Sequence, residues 1–334
     1  MEKGIMVNND FLGNGLNETN EGNNITSLDN NYDSKSYKST DLKVLVVAWV
    51  VVLLASSFSL ILWREFGLGE PLWWPYITFF ILLGFFVLSL VVKDFKSLRS
   101  FIAIILIIFL FGFGGGWQWG IIPWVRNSIY WIDWTNSLPW ALSSLMIHLL
   151  RLTPAIAVLI YLFSIKRKRK DFFLVKGEIK ALVEPSRLLG MKEPKPWTNI
   201  GSIFAIIFTV GTLIFLLVSQ TPTLDDFFGV LPLLPVAILI AAMNAFNEEF
   251  TLRAAPLSEL WKKLGKKHAL LLTTVYFGLG HFYGVPSGIL GVLLSAFLGW
   301  FLGKSLLETK GFFWAWIIHF FPDIVIFTFY AMFP

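Results

Sequence analysis

The sequence predicts an all-α polytopic membrane protein, with about eight or nine transmembrane helices. Three observations lead there. Hydrophobic residues make up 56% of the chain and charged ones only 15%, against roughly 25% charged in a soluble domain. The apolar residues fall in long runs, enough at 1.5 Å per residue to cross a hydrocarbon core of ~30 Å. The basic residues gather in a few loops rather than being spread along the chain, as loop charge in a membrane protein does.

In chain order, residues 1–40 are rich in Asn, Asp, Ser and Gly. They lack the apolar residues to bury a core and are expected to be a disordered arm. Asn17 and Asn24 open glycosylation triplets, read here as chance matches because the arm is expected in the cytosol. The first apolar run starts only near Val44, so no cleavable leader is expected. Spans follow near 44–63, 76–92, 101–116, 139–163, 200–219, 231–252, 269–283, 287–303 and 311–333. The third ends in Gly114-Gly115-Gly116, read as a turn or a close-packing point rather than a binding loop.

Lys93, Lys96 and Arg99, the run 166–170, and Lys262, Lys263, Lys266 and Lys267 fall on one side if the N-terminus is inside. The positive-inside rule makes that side the cytosol. Opposite loops carry Trp117, Trp119, Trp124, Trp131 and Trp134, suited to an interfacial belt. The segment 171–197 is basic and partly apolar, fitting either contact with an anionic leaflet or a solvated connector. The absence of cysteine excludes disulfides, thiolate metal sites and a cysteine nucleophile.

Polar groups inside the apolar runs are costly in lipid, so they mark candidate function. Glu248 and Glu249 end one run, with Arg253 four positions after Glu249 and able to pair with it on one helical face. Glu248 projects about 100° away and stays available. It lies fourteen positions before Lys262, and His281 fourteen after Lys267, so both sit at about 21 Å of helix from that basic turn. His319 and Asp323, one turn apart, lie nine and thirteen positions past Lys310 and fall in the same band, at roughly 14 to 20 Å by the same rise. Phe277 places a ring beneath His281, and Asp323 can orient the His319 imidazole. Such a set can activate water and stabilise an oxyanion, or offer ligands to zinc; spacing does not choose. Taken singly, a buried histidine or Glu–Arg pair is more often structural, and the matching depth of several is what argues otherwise. His148 and Arg151 form a competing polar pair without a carboxylate nearby in sequence, read as packing or as a substrate or lipid contact.

Glu248-Glu249-Phe-Thr-Leu-Arg253, Phe277-Gly-Leu-Gly-His281 and His319-Phe-Phe-Pro-Asp323 together resemble the CPBP intramembrane proteases, which include the type II CAAX prenyl endopeptidases. The resemblance covers about residues 200–333. It implies Glu248 as the water-activating acid with His281 as its partner. It also implies His319 and Asp323 as the oxyanion-stabilising pair, with Glu249 and Arg253 in support. Ala254 stands where many members have Gly, and Asp323 where Asn is frequent. The family leaves the cofactor open: a divalent metal such as zinc, or none.

The layout expected is therefore a cytosolic arm (1–40), accessory membrane helices (41–170), a basic cytosolic loop (171–199) and a catalytic membrane core (200–334). The function expected is endoproteolysis of a membrane-associated peptide or lipidated protein, of CAAX or bacteriocin type, in a pocket open toward the cytosol. The bilayer is the other partner, and no nucleic acid is expected. The location expected is the plasma membrane of a prokaryote, as a multi-pass protein with its N-terminus in the cytosol. Two other classes compete: a non-catalytic immunity or scaffold protein using the same pocket, and an ion-coupled carrier. A carrier would favour inverted repeats, and no internal repeat is visible.

Overall fold

The computed structural model describes residues 41–67, 69–114, 116 and 118–333. The expectations for the arm 1–40, including its two triplets, and for Gly115 and Trp117 lie outside the described residues.

The fold is all-α, and the chain is a multi-pass membrane protein. The helices are α1 (Leu42–Ala55), α2 (Trp74–Val91), α3 (Arg99–Phe111), α4 (Ile121–Arg126), α5 (Ile129–Asn136), α6 (Trp140–Arg151), α7 (Thr153–Ser164), α8 (Trp197–Gln220), α9 (Leu224–Val230), α10 (Leu234–Glu248), α11 (Ala255–Gly280), α12 (Gly288–Thr309) and α13 (Phe313–Met332). Among the described residues, six helices are long and apolar enough to cross a membrane. A bent pair, Leu42–Ala55 and Phe58–Phe66 at 56°, makes a seventh if counted as one span.

The count falls short of eight or nine for two reasons. Helix α3 has only 13 residues. The stretch Leu224–Gly280 reads as one apolar helical run of 57 residues, although Gly265 at φ 79° and ψ 159° leaves the helical region within it. Only a residue without Cβ takes that conformation cheaply. Pro256 sits in the first turn of α11 behind a π-helical turn, Glu249–Ala254. A proline cannot donate to the carbonyl four residues back, and the widened turn absorbs that loss. Pro322 lies inside α13, which runs on past it.

The bundle has two distinct ends. At one, the basic loops meet as the charge pattern required. Arg167 makes a two-pronged pair with Glu259, at 2.8 Å from Nε and 2.6 Å from Nη2. Lys266 reaches Glu184 at 3.4 Å, and Lys310 lies over the Trp261 ring at 4.5 Å. Segment 171–197 is folded against the bundle. It carries a short antiparallel pair, β1 (Leu182–Val183) and β2 (Lys195–Pro196), and docks on the ends of α12 and α13. Glu178 N–H donates to the Thr309 carbonyl at 2.8 Å, Phe312 N–H to Val175 at 2.8 Å, and Trp314 Nε1 to Ile179 at 2.9 Å. Trp197, fully buried, donates to Glu308 at 2.9 Å.

The other end is aromatic. Trp63, Trp73 and Trp74 contact edge to face, and Trp119 packs among Tyr76, Phe79 and Phe109. Of the tryptophans expected in a belt, Trp119 belongs to this cluster, while Trp131 and Trp134 contact each other edge to face. Between the ends, α10 packs chiefly on α13, α8 on α13, and α11 on α12. That packing brings the π turn, the last turn of α11 and the middle of α13 together.

Candidate active site

Glu248 closes α10 and Glu249 opens the π turn, so the two acids leave the backbone in different directions. Glu249 points into the protein. It forms a fully buried ion pair with Arg253, and its Oε1 accepts from His319 Nδ1 at 2.7 Å. The Arg253 guanidinium lies 4.1 Å from the centre of the Phe277 ring. On its other contacts, Phe277 meets His281 at 4.5 Å and His319 edge-on at 6.3 Å between ring centres. A buried charge without such partners is costly, so Arg253, Glu249 and Phe277 form one unit.

Glu248 is half-buried and lines a cavity. Its Oε2 is 4.0 Å from His281 Nε2 and 3.9 Å from His319 Nε2. Oε1 receives Asn244 Nδ2 at 3.3 Å and lies 3.5 Å from Arg151 Nη2. His281 Nδ1 contacts the Phe277 carbonyl at 2.9 Å, and a carbonyl only accepts, so that nitrogen carries the proton. His319 Nδ1 likewise donates to Glu249. Both rings therefore turn their Nε2 atoms toward one carboxylate oxygen. Asp323 Oδ1 lies 3.6 Å from His319 Nε2, beyond a good hydrogen bond. The orienting carboxylate for His319 is Glu249, not Asp323. Asp323 Oδ2 is held instead by Asn244 Nδ2 at 3.0 Å.

All four candidate residues thus share one cluster, with Glu249 and Arg253 behind it. Sequence reasoning missed Asn244, which bridges Glu248 and Asp323; its i, i+4 spacing to Glu248 was the available signal. It also left Arg151 without a carboxylate, because its partner is 97 positions away. The local reason for that contact is a helix break: Pro154 starts α7, and α6 ends at Arg151. The freed Arg151 carbonyl accepts from Asn247 Nδ2 at 2.6 Å, which ties α6 to α10.

The cavity has a volume of about 410 Å³. Glu248, Leu252, His281 and Arg151 stand at its inner side, and segment 112–127 supplies most of the rest. That segment follows the aromatic end of α3, whose other end is Arg99. The cavity therefore belongs to the aromatic end, not to the end of the basic loops where the sequence reading put the opening. Gly114 and Gly116 of the glycine run lie in left-handed backbone, at φ 81° and 64°, as a turn requires. The run is also a close approach, since a Cβ on Gly280 would lie 2.5 Å from the Gly114 carbonyl oxygen. Beyond the expectation, it walls the cavity.

Two imidazole Nε2 atoms and a carboxylate are a donor set of the kind that holds catalytic zinc, and each Nδ1 has the acceptor such ligands use. Ligands at ~2.1 Å from a zinc ion stand about 3.4 Å apart, closer than the separations from Glu248 given above. Among the described residues, no group of three or more His, Asp or Glu side chains is drawn together tightly enough to hold a metal as it stands. The donors fit in kind and would have to close by about half an ångström.

Residues 230–325 match the family model described as type II CAAX prenyl endopeptidase Rce1-like. The match bears out the CPBP resemblance drawn from the three motifs, and every residue of the cluster except Arg151 falls within it. No curated protein and no solved structure matches the chain. Residues 230–325 are thus similar to a domain of a membrane protease family.

Proposed function

We propose, taking the Rce1-like domain at residues 230–325 as the premise, that the chain is an intramembrane endopeptidase in which Glu248 activates water. The observation that carries this reading is the convergence of His281 Nε2 and His319 Nε2 on Glu248 Oε2 at a cavity wall. A water seated among these three atoms gives its proton to Glu248 and attacks a peptide carbonyl. The oxyanion that forms needs an N–H. A doubly protonated His319 supplies one from Nε2 while Nδ1 stays bound to Glu249. Asp323, fixed by Asn244, sits beside that ring to balance its charge. Glu248 then returns the proton to the leaving amine, as a single acid–base group must. Arg151 holds Glu248 from its other oxygen. A divalent metal on His281, His319 and Glu248 would supply a bound water of lowered pKa and polarise the carbonyl.

By the positive-inside rule the basic end faces the cytosol, with the N-terminus on that side, in a prokaryotic plasma membrane. The cavity then opens toward the far face. That ranks a membrane-associated peptide reaching the outer leaflet above a lipidated tail displayed in the cytosol. The test is cleavage of a peptide library by detergent-purified protein, with and without a strong chelator, beside Glu248→Gln. Cleavage lost in the variant supports the reading, and its chelator sensitivity decides the metal. Full cleavage by the variant overturns it.

A further inference from the structure

Two guanidinium groups line the cavity, Arg126 and Arg151, against one carboxylate, Glu248. Arg151 is engaged: it lies 3.5 Å from Glu248 and over the Phe113 ring at 5.6 Å. Arg126 ends α4 at the mouth, where it touches solvent. No carboxylate among the described residues forms an ion pair with it. Burial, and then the charge of Arg151, pull its pKa below the ordinary arginine value. The wall is therefore positively charged beyond what its own acid balances. Gln118 and Asn127 add neutral hydrogen-bonding groups to the same wall.

From this geometry we infer that the cavity selects substrates bearing a carboxylate, which Arg126 holds at the mouth while the scissile carbonyl lies at Glu248 and His281. This rests on the protease reading above and adds the substrate class to it. The guanidinium is a planar fork that takes a carboxylate through two parallel hydrogen bonds. An acid there compensates Arg126 and offsets its repulsion from Arg151, which a neutral or basic group cannot do. The volume of about 410 Å³ falls in the ~300–1,000 Å³ range of sites that enclose small ligands. The carboxylate is either a free C-terminus or an acidic side chain on the leaving side of the bond.

The experiment uses the full-length protein in neutral phosphatidylcholine vesicles and four fluorogenic peptides of one sequence. One ends in a free carboxylate, one in an amide, one in an amide after a terminal Asp, and one in an amide after a terminal Lys. Charge-assisted hydrogen bonds lead to an expected preference of about tenfold or more in kcat/KM for the carboxylate peptides, carried mainly by KM. Preference for the free terminus alone identifies the C-terminus, and equal preference for the Asp peptide identifies any carboxylate. Arg126→Gln should bring the ratio to near one, and Arg126→Glu should turn it toward the Lys peptide. Equal cleavage of all four by the unaltered protein overturns the inference, as does a preference that survives Arg126→Gln. A third contrary result is a response to added phosphatidylglycerol that Arg126→Gln removes, which would make the arginine a lipid headgroup contact. Binding of the same peptides to Glu248→Gln separates the two levels. Carboxylate-selective binding without turnover by the unaltered protein keeps this inference and sinks the protease reading; unselective binding sinks this inference alone.

Discussion

At the basic end of the bundle, segment 171–197 is folded down onto α12 and α13 and tied there by backbone hydrogen bonds, Trp197 and Trp314. At the aromatic end, segment 112–127 is folded inward too, yet it leaves a cavity that reaches Glu248. The difference lies in what each segment brings. The first is closed over by the buried Trp197 ring, while the second, although Trp119 and Ile122 pack inward, turns glycines at positive φ and polar groups toward the cavity. The same contrast recurs within one turn of helix. Glu249 is sealed against Arg253 and His319, whereas its neighbour Glu248 faces open volume. Burial seals one acid in an ion pair and leaves the other facing the cavity.

That contrast can be broken from the sealed side first. Arg253→Met removes the buried cation paired with Glu249 and leaves His319 as its remaining partner, a loss of up to about 3–5 kcal/mol. It should appear as a large drop in thermal unfolding temperature in detergent, and most of it should return when Glu249→Gln is added. Next, Trp197→Ala removes a fully buried ring and its bond to Glu308. Its expected cost is about 3 kcal/mol, read by the same melt. Peptide selectivity should not change, since Trp197 touches nothing in the cavity.

The open side gives a positional test. The chain has no cysteine, so single cysteines can be placed without background. A bulky maleimide on Asn127→Cys should block cleavage, and the same reagent on Lys263→Cys at the basic end should not. Block at residue 263 and not at 127 would move the entrance to the other end. The smallest effect expected is that of Gly114→Ala. It forces a Cβ into left-handed backbone and within 2.5 Å of Leu252, costing about 1–3 kcal/mol and raising KM more than it lowers stability-corrected kcat.

Much of this contrast was legible in the sequence because depth in a membrane is countable. Fourteen positions either side of the Lys262–Lys267 turn put Glu248 and His281 in register, and the helices do bring them within 4.0 Å. The buried pair followed from i, i+4 spacing and from the cost of a charge in lipid. The entrance was not legible. It depends on where α3 stops, on how the glycine turn lies against Gly280, and on Arg151 meeting an acid 97 positions away. Those are contacts between distant segments, and no periodicity encodes them. The docking of 171–197 was hidden for a related reason: its basic residues read as a solvated or lipid-facing loop, while Trp197 and the backbone set its place. The break at Gly265 escaped because an apolar run looks the same with or without a turn inside it.

The most direct test sets the two adjacent glutamates against each other: turnover and melting temperature measured together for Glu248→Gln and Glu249→Gln, with the same peptide. The account predicts that Glu248→Gln lowers kcat by about 10²–10⁴-fold, the range for losing a general acid–base group, with a nearly unchanged melt. It predicts that Glu249→Gln lowers the melt sharply through the orphaned Arg253. Turnover retained by Glu248→Gln and lost by a stably folded Glu249→Gln would assign the chemistry to the wrong acid and contradict the account.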